Sequence, residues 1–384
     1  MKARQVLASV SVMLIVVVLV NYYIGLHVWR LIQDWLPAVG AGLFWPVFAI
    51  ISFSYLFGRL SRPKPLLPLF RGLKVIGSYY FAIMEFAVIM LPITDLLYLL
   101  LKLSGADMTH FVSIAGFALL AALALFLLWG SRNAWSTIVR TQPVSIDKQA
   151  GDLAKLRIAM ASDLHLGNIV GNRHLKKMVS KINALKPDVV LLPGDVLDDS
   201  IEPFIRNKMM DNLKKLQARD GVYVVLGNHE YYGGSVEQYV ALMEENGFKV
   251  LRDEIAEPSG AYYVVGRKDR TAESREGRLS VSALLAGLDP SRPIIVMDHQ
   301  PYGFEQAAEA GADLLLCGHT HRGQIAPNHW ITKRLFELDW GYMRKGKMHV
   351  AVSSGFGSWG PPIRIGSRSE IIELLVTFQP RATV

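Results

Sequence analysis

The sequence predicts a membrane region of four helical spans followed by an α/β domain. Three observations predict it. Four long runs with almost no charge occupy the first third of the 384-residue chain. After Trp129, strand-like and helix-like patterns alternate. Five of those strand patterns run directly into Asp, Asn or His residues of the kind that bind metals. The composition, 51% hydrophobic and only 19% charged, carries the apolar excess that membrane segments bring. We place the membrane region at residues 1–131 and the α/β domain at 132–384.

The first run, Val6 to Trp29, has no charged residue and exceeds the roughly 20 residues that cross a bilayer. It is too long for a secretory signal and lacks a small-residue cleavage site, so it reads as a retained anchor. The second, Trp35 to Gly58, contains Pro46, a kink. The third, Val75 to Leu101, contains Glu85, Pro92 and Asp95, and the fourth runs from Phe111 to Trp129. Ionisable groups inside a span are functional candidates. Glu85 is either a neutral, hydrogen-bonded group joining helices or a contact for a lipid headgroup or ion. It stands about 80° from Asp95 around a helix, so the two do not form one tight pair.

Basic residues fix the expected orientation. Lys2 and Arg4 precede the first span, Arg59, Arg62, Lys64, Arg71 and Lys74 lie between the second and third, and Arg132, Arg140 and Lys148 follow the fourth. Basic loops stay cytoplasmic, so both termini and the α/β domain are expected in the cytoplasm. The loop from Arg59 to Lys74, rich in Pro and cations, reads as held at an anionic leaflet.

Residues 1–150 hold 12 Lys/Arg against 5 Asp/Glu, whereas residues 151–384 hold 29 against 28. The basic excess therefore belongs to the membrane region, and the nearly neutral α/β domain lacks the footprint of a nucleic-acid binder. The single cysteine, Cys317, excludes an intramolecular disulfide, agrees with a reducing compartment, and reads as a packed residue on an apolar strand.

In the α/β domain, Leu156–Ser162 ends at Asp163-Leu164-His165. A helical stretch, Arg173 to Leu185, leads to Val189–Leu192 and Gly194-Asp195. A polar helix around Asn207 to Gln217 precedes Val222–Leu226 and Gly227-Asn228-His229-Glu230. Ile294–Met297 runs into Asp298-His299, and Leu314–Leu316 into Gly318-His319-Thr320-His321. Ligand sites gather at the C-terminal ends of strands in α/β sheets. Asp163 and His165 can face one ion together. Asp195 has two oxygens and could bridge two ions, and Asn228 supplies a neutral oxygen. His299, His319 and His321 complete the nitrogen set. Mixed O/N ligands without thiolate suit Mn, Fe or Zn better than Ca, and two such ions can activate water for attack on phosphorus. The glycines before Asp195, Asn228 and His319 suit close backbone approach. His27, His110, His174, His329 and His349 receive no assignment.

The ordered set D-x-H, G-D, G-N-H-E, H, G-H-x-H, with gaps of 32, 33, 71 and 20 residues between leading ligands, resembles the calcineurin-like metallophosphoesterase superfamily from about residue 135 to 384. The resemblance implies a two-sheet sandwich flanked by helices. It also implies one ion held by Asp163, His165, Asp195 and His321, and a second by Asp195, Asn228, His299 and His319. His229 is then left to assist the leaving group, oriented by Asp198, with Glu230 behind the ligands. Asp199 stands where protein Ser/Thr phosphatases carry Arg-Gly, which argues against a phosphoprotein substrate. The stretch Gly355 to Arg364 resembles the C-terminal loop of small bacterial membrane-linked members, some of which cleave the pyrophosphate of UDP-2,3-diacylglucosamine. Arg364 is either a phosphate contact or a surface arginine after a Pro-Pro turn. The expectation is a phosphodiester or pyrophosphate hydrolase at the inner face of a bacterial plasma membrane, partnered by the bilayer and a lipid-linked substrate. The alternative is a membrane sensor or transport-linked protein whose phosphoesterase domain is regulatory.

Overall fold

The computed structural model describes residues 2–59 and 66–379; Arg62 and Lys64, used above for orientation, lie outside them. Contacts divide the chain into Met1–Trp129 and Gly130–Val384.

Four helices, α1 (Lys2–Trp35), α2 (Ala41–Arg59), α3 (Leu67–Leu103) and α4 (Phe111–Trp135), are long and apolar enough to cross a membrane. On α4, Ile114, Phe117, Leu125 and Leu128 are 68–70% exposed, a surface suited to lipid and not to water. Helices in lipid associate through close packing and hydrogen bonds more than through apolar burial. Accordingly Gly77 of α3 lies against Tyr55 of α2, where a Cβ would overlap the tyrosine backbone. Tyr80 donates to Asn21 Oδ1 at 2.5 Å. Tyr23 donates to Asp95 Oδ2 at 2.5 Å, and His27 Nε2 lies 3.3 Å from the same oxygen. Asp95 thus has two partners on α1, which the sequence pattern did not reveal.

The second unit is the α/β sandwich the resemblance implies. Its strands are β1 (Ile138–Ile146), β2 (Lys155–Met160), β3 (Val189–Pro193), β4 (Val222–Val225), β5 (Lys249–Val250), β6 (Glu254–Ala256), β7 (Tyr263–Gly266), β8 (Ile294–Met297), β9 (Leu314–Cys317), β10 (Gly341–Lys345), β11 (Met348–Val352) and β12 (Glu370–Phe378). They form two six-stranded sheets, ordered β1-β12-β2-β3-β4-β5 and β10-β11-β9-β8-β7-β6.

Period-two alternation sorts the side chains. On β3, Val189 and Leu191 enter the core between the sheets with Ile295, Met297, Leu314 and Leu316. Val190 and Leu192 face the outer layer, where α5 (Asn172–Leu185) presents Leu175, Met178, Val179 and Ile182. That i, i+3, i+4, i+7 spacing is one helical stripe. Ile294 and Val296 of β8 join a third core on the far face of the second sheet.

Strands β2, β3 and β4 are mutually parallel, as are β7, β8 and β9. Parallel pairing brings their C-terminal ends to a common edge within each sheet, and that placement builds the site. One expected element differs. In place of a helix over Asn207–Gln217 there are two short ones, Glu202–Arg206 and Met210–Leu213. Between them Lys208 adopts φ +49°, a left-handed conformation that ends a helix.

Candidate metal centre

Each strand hands its ligands to a tightly turned loop. Asp163, His165, Asp195, His319 and His321 all have φ between +46° and +74°. Such conformations are costly for residues with a Cβ and persist where the surroundings impose them, commonly at functional sites. Gly194 adopts φ +85°, and its missing Cβ leaves room for the His299 ring. At Gly227 the close neighbour is Asp195 Oδ1.

Three overlapping groups result among the described residues. Oxygen and nitrogen atoms of Asp163, His165 and His321 lie within 4.8 Å of one another, as do those of Asp195, His299 and His319, and those of His165, Asp195 and His229 form a third group that shares a residue with each of the others. In the first, His165 Nε2 is 2.9 Å from His321 Nε2, and His321 Nε2 is 3.6 Å from Asp163 Oδ1. In the second, His299 Nε2 lies 3.0 Å from Asp195 Oδ2 and 3.1 Å from Asn228 Oδ1, which is 2.9 Å from His319 Nδ1. Asp195 Oδ2 also reaches to 3.9 Å from His165 Nε2, so this carboxylate stands between the clusters.

The donor set fits divalent cations. Two imidazole nitrogens 2.9 Å apart in a buried site converge as ligands would. Burial, reinforced by neighbouring histidines, holds the pKa values of His165 and His321 well below the ordinary range and that of His319 at about 4. Neutral imidazole is the ligating form. His299 Nδ1 lies 2.9 Å from the Pro193 carbonyl. Donation there aims Nε2 at Asp195, the usual support for a metal-binding histidine; against burial, the Asp195 carboxylate raises the pKa of this ring well above the ordinary range, and a cation between the two would take the place of that proton. Asp163 is fixed by the Ser162 hydroxyl at 2.5 Å and the His319 N–H at 2.8 Å.

His229 lies beside this assembly, its ring centroid 4.7 Å from that of His165. Its Nδ1 forms an ion pair with Asp199 Oδ1 at 2.7 Å. Burial opposes charge on the ring, but Asp199, Asp195 and Asp198 outweigh it and push the pKa up to about 9. Asp199 is thus an ion-pair partner of His229 that the sequence pattern did not single out, and the charge of Asp198 acts on the same ring. A bridge between Leu166 and Leu197, and donation from Asp198 N–H to the Leu166 carbonyl, hold Asp198 against Gly167. The chain then turns at Asp199, φ +57°. Adjacent acidic residues gave no sequence signal for choosing between them.

Glu230 accepts from the N–H groups of Gly227 (2.7 Å), Leu197 (2.8 Å) and Asp195 (3.1 Å), joining the β3 and β4 loops behind the ligands. Burial and the charge of Asp195 raise its pKa to about 7 against the pull of those donors.

Arg364 is neither of the things expected of it. Its side chain is fully buried. The guanidinium donates to the carbonyls of Ser354 (2.7 Å), Gly355 (3.2 Å) and Gly357 (2.5 Å), and lies 3.2 Å from His321 Nδ1. A five-donor fork suits this convergence of acceptors. Arg364 braces the 353–357 loop behind His321 and is not placed to meet substrate.

Residues 156–323 match the family model for calcineurin-like phosphoesterases. The chain is 32% identical over 252 residues to a transmembrane protein with metallophosphoesterase domain from Danio rerio, covering 61% of this chain and 56% of that one. It is 31% identical over 259 residues to a metallophosphoesterase of Campylobacter jejuni, covering 66% and 68%. Over 273 residues it is 30% identical to the metallophosphoesterase YkoQ of Bacillus subtilis, covering 66% and 98%. The match to the Danio relative, like that to a Bos taurus protein of the same description, spans little more than half of the relative's length.

Proposed function

The chain belongs to the calcineurin-like phosphoesterase family, and from that premise we propose that it is a membrane-anchored hydrolase of phosphodiester or pyrophosphate bonds. In this reading it uses two divalent ions (Mn, Fe or Zn) and acts on a lipid-linked substrate at the inner face of a bacterial plasma membrane. The observation that carries the chemistry is the position of Asp195 between the ligand groups, with His229, paired to Asp199, alongside.

Bound divalent ions would supply Lewis acidity and lower the pKa of water. Asp163, His165, Asp195 and His321 would hold one, and Asp195, Asn228, His299 and His319 the other. The protein's own contribution to bond cleavage is His229. Protonated and held by Asp199, it can donate to the oxygen that departs from phosphorus and stabilise its growing charge. Glu230 and Arg364 keep the ligand loops in place so that little reorganisation accompanies reaction.

Four apolar helices and relatives named as transmembrane proteins establish membrane association. The cytoplasmic placement rests on the basic loops, and the lipid-linked substrate on the extent of the anchor. The test is hydrolysis of bis(p-nitrophenyl) phosphate by full-length protein, with metal content measured in parallel. Asp195→Asn should lose both metal and activity, His229→Ala should lose activity while keeping metal, and both should remain in membranes. Full activity in both variants would end the assignment. The regulatory alternative draws on the Tyr23–Asp95–His27 cluster within the spans. It predicts that Asp95→Asn abolishes a physiological response while catalysis persists.

A further inference from the structure

The short helix His329–Leu335 has no buried residue. Trp330, Ile331 and Leu335 are 69%, 59% and 66% exposed. At about 100° per residue they cover an arc of roughly 140°, and Arg334 falls within that arc. Lys333 and Arg334 are both exposed. Single exposed apolar residues are ordinary, but a cluster of this kind on one short helix marks an interaction surface.

A second exposed aromatic is tied to the same segment. Trp359, 54% exposed, exchanges two 2.9 Å hydrogen bonds with the side chain of Gln324, whose backbone leads into the helix. On the other side, Phe336 follows the helix directly and its ring lies 6.2 Å from that of the ligand His319. The surface therefore borders the metal centre.

We propose that this helix is a membrane-contact element, seating Trp330, Ile331 and Leu335 in the interfacial layer of an anionic bilayer while Lys333 and Arg334 meet lipid phosphates. Three observations favour a bilayer over other occupants. Tryptophan with aliphatic side chains and interleaved cations is the composition of interfacial helices, whose long basic side chains reach out to headgroups while their stems stay apolar. The charge complements an anionic leaflet. Continuity supplies the third. Gly130, which directly follows the apolar run Phe111–Trp129, accepts from the Arg364 N–H at 3.0 Å. Ile365 in turn donates to the Gln324 carbonyl and accepts from the Ala326 N–H, both at 2.9 Å, just before the helix begins. The helix is thus hydrogen-bonded, through two short segments, to Gly130, the first residue of the second unit. A helix so seated holds the rim of the metal centre at the depth of phospholipid headgroups.

Cys317 is buried and is the only cysteine, so a nitroxide can be attached selectively at Ile331→Cys in the full-length chain, with Lys214→Cys as an exposed control. The protein is reconstituted in vesicles of phosphatidylcholine with phosphatidylglycerol. Accessibility is then read with oxygen, which concentrates in the bilayer, and with a nickel chelate, which stays in water. The expected oxygen-to-nickel ratio at position 331 is several-fold above that at 214, and it falls when Lys333→Glu and Arg334→Glu are added. A ratio equal to the control's overturns the proposal. So does shielding from both reagents with spin–spin broadening, which would signal contact with a second copy of the chain. The same result is expected in an Asp195→Asn background, so failure of the membrane contact and failure of the hydrolase assignment are separately visible.

Discussion

Replacing Asp199 by Asn tests the catalytic assignment where it departs most from the sequence pattern. In the structure Asp199 is the carboxylate paired with His229 Nδ1, at 2.7 Å. The histidine pKa is pushed up to about 9. Against an ordinary imidazole value near 6.5, that corresponds to about 3 kcal/mol favouring the protonated ring, at ~1.4 kcal/mol per pH unit. An opposite charge at this range shifts a pKa by roughly 1–3 units, so Asp199 accounts for a large share. Because the folded value is raised, the protonated ring and its pairing are fully present below the unfolded pKa and are lost as pH rises through the folded one. The alkaline limb of kcat/KM for bis(p-nitrophenyl) phosphate, followed between about pH 6 and 10, should report this loss. Bound cations lower the absolute position of the limb in every variant alike, so the comparison between variants carries the result. Asp199→Asn should move the limb down by about one pH unit or more, and Asp198→Asn should move it less. An unmoved limb in Asp199→Asn, or a larger displacement in Asp198→Asn, would refute the reasoning.

Arg364→Met should destabilise the second unit by about 3 kcal/mol or more, since it strands three buried carbonyl acceptors, and lower the Tm by about 6–12 °C. A thermal melt indistinguishable from the parent would contradict the bracing role. Gly227→Ala introduces a Cβ into the space of Asp195 Oδ1. It should weaken metal binding about 10–100-fold, measured by metal titration, and lower the melt of the metal-free protein as well, because the same Cβ meets the Asp195 backbone nitrogen. His174, stacked on Phe356 with ring centroids 4.1 Å apart, is held neutral by burial, its pKa pushed down to about 4. The unfolded chain takes up that proton near pH 6.5, so stability is full above this value and falls towards pH 4, by about 3 kcal/mol in all. His174→Phe should flatten that slope in denaturation measured at several pH values; an equal slope in both proteins would count against it.

The sequence by itself determined what depends on order along the chain. Apolar runs longer than a bilayer specify spans whatever lies beside them, because a helix satisfies its own backbone. Buried strands leading to Asp163, Asp195, Asn228, His299 and His319 identify the candidate ligands, because parallel strands bring their ends to a common edge within each sheet. What lay beyond the sequence concerns direction in space. That Asp199 pairs with His229 Nδ1 depends on how a left-handed turn at that residue aims its side chain. Arg364 follows two prolines and reads as a surface residue, yet it lies under His321 because the loop carbonyls from Ser354 to Gly357 fold around it. The helix His329–Leu335 leaves Ile331 and Leu335 exposed, though apolar residues four apart on a helix would ordinarily mark a buried face. Periodicity and motif order are one-dimensional properties that local chemistry fixes. The partner of a side chain is set by long-range packing, and only the tertiary structure could decide it.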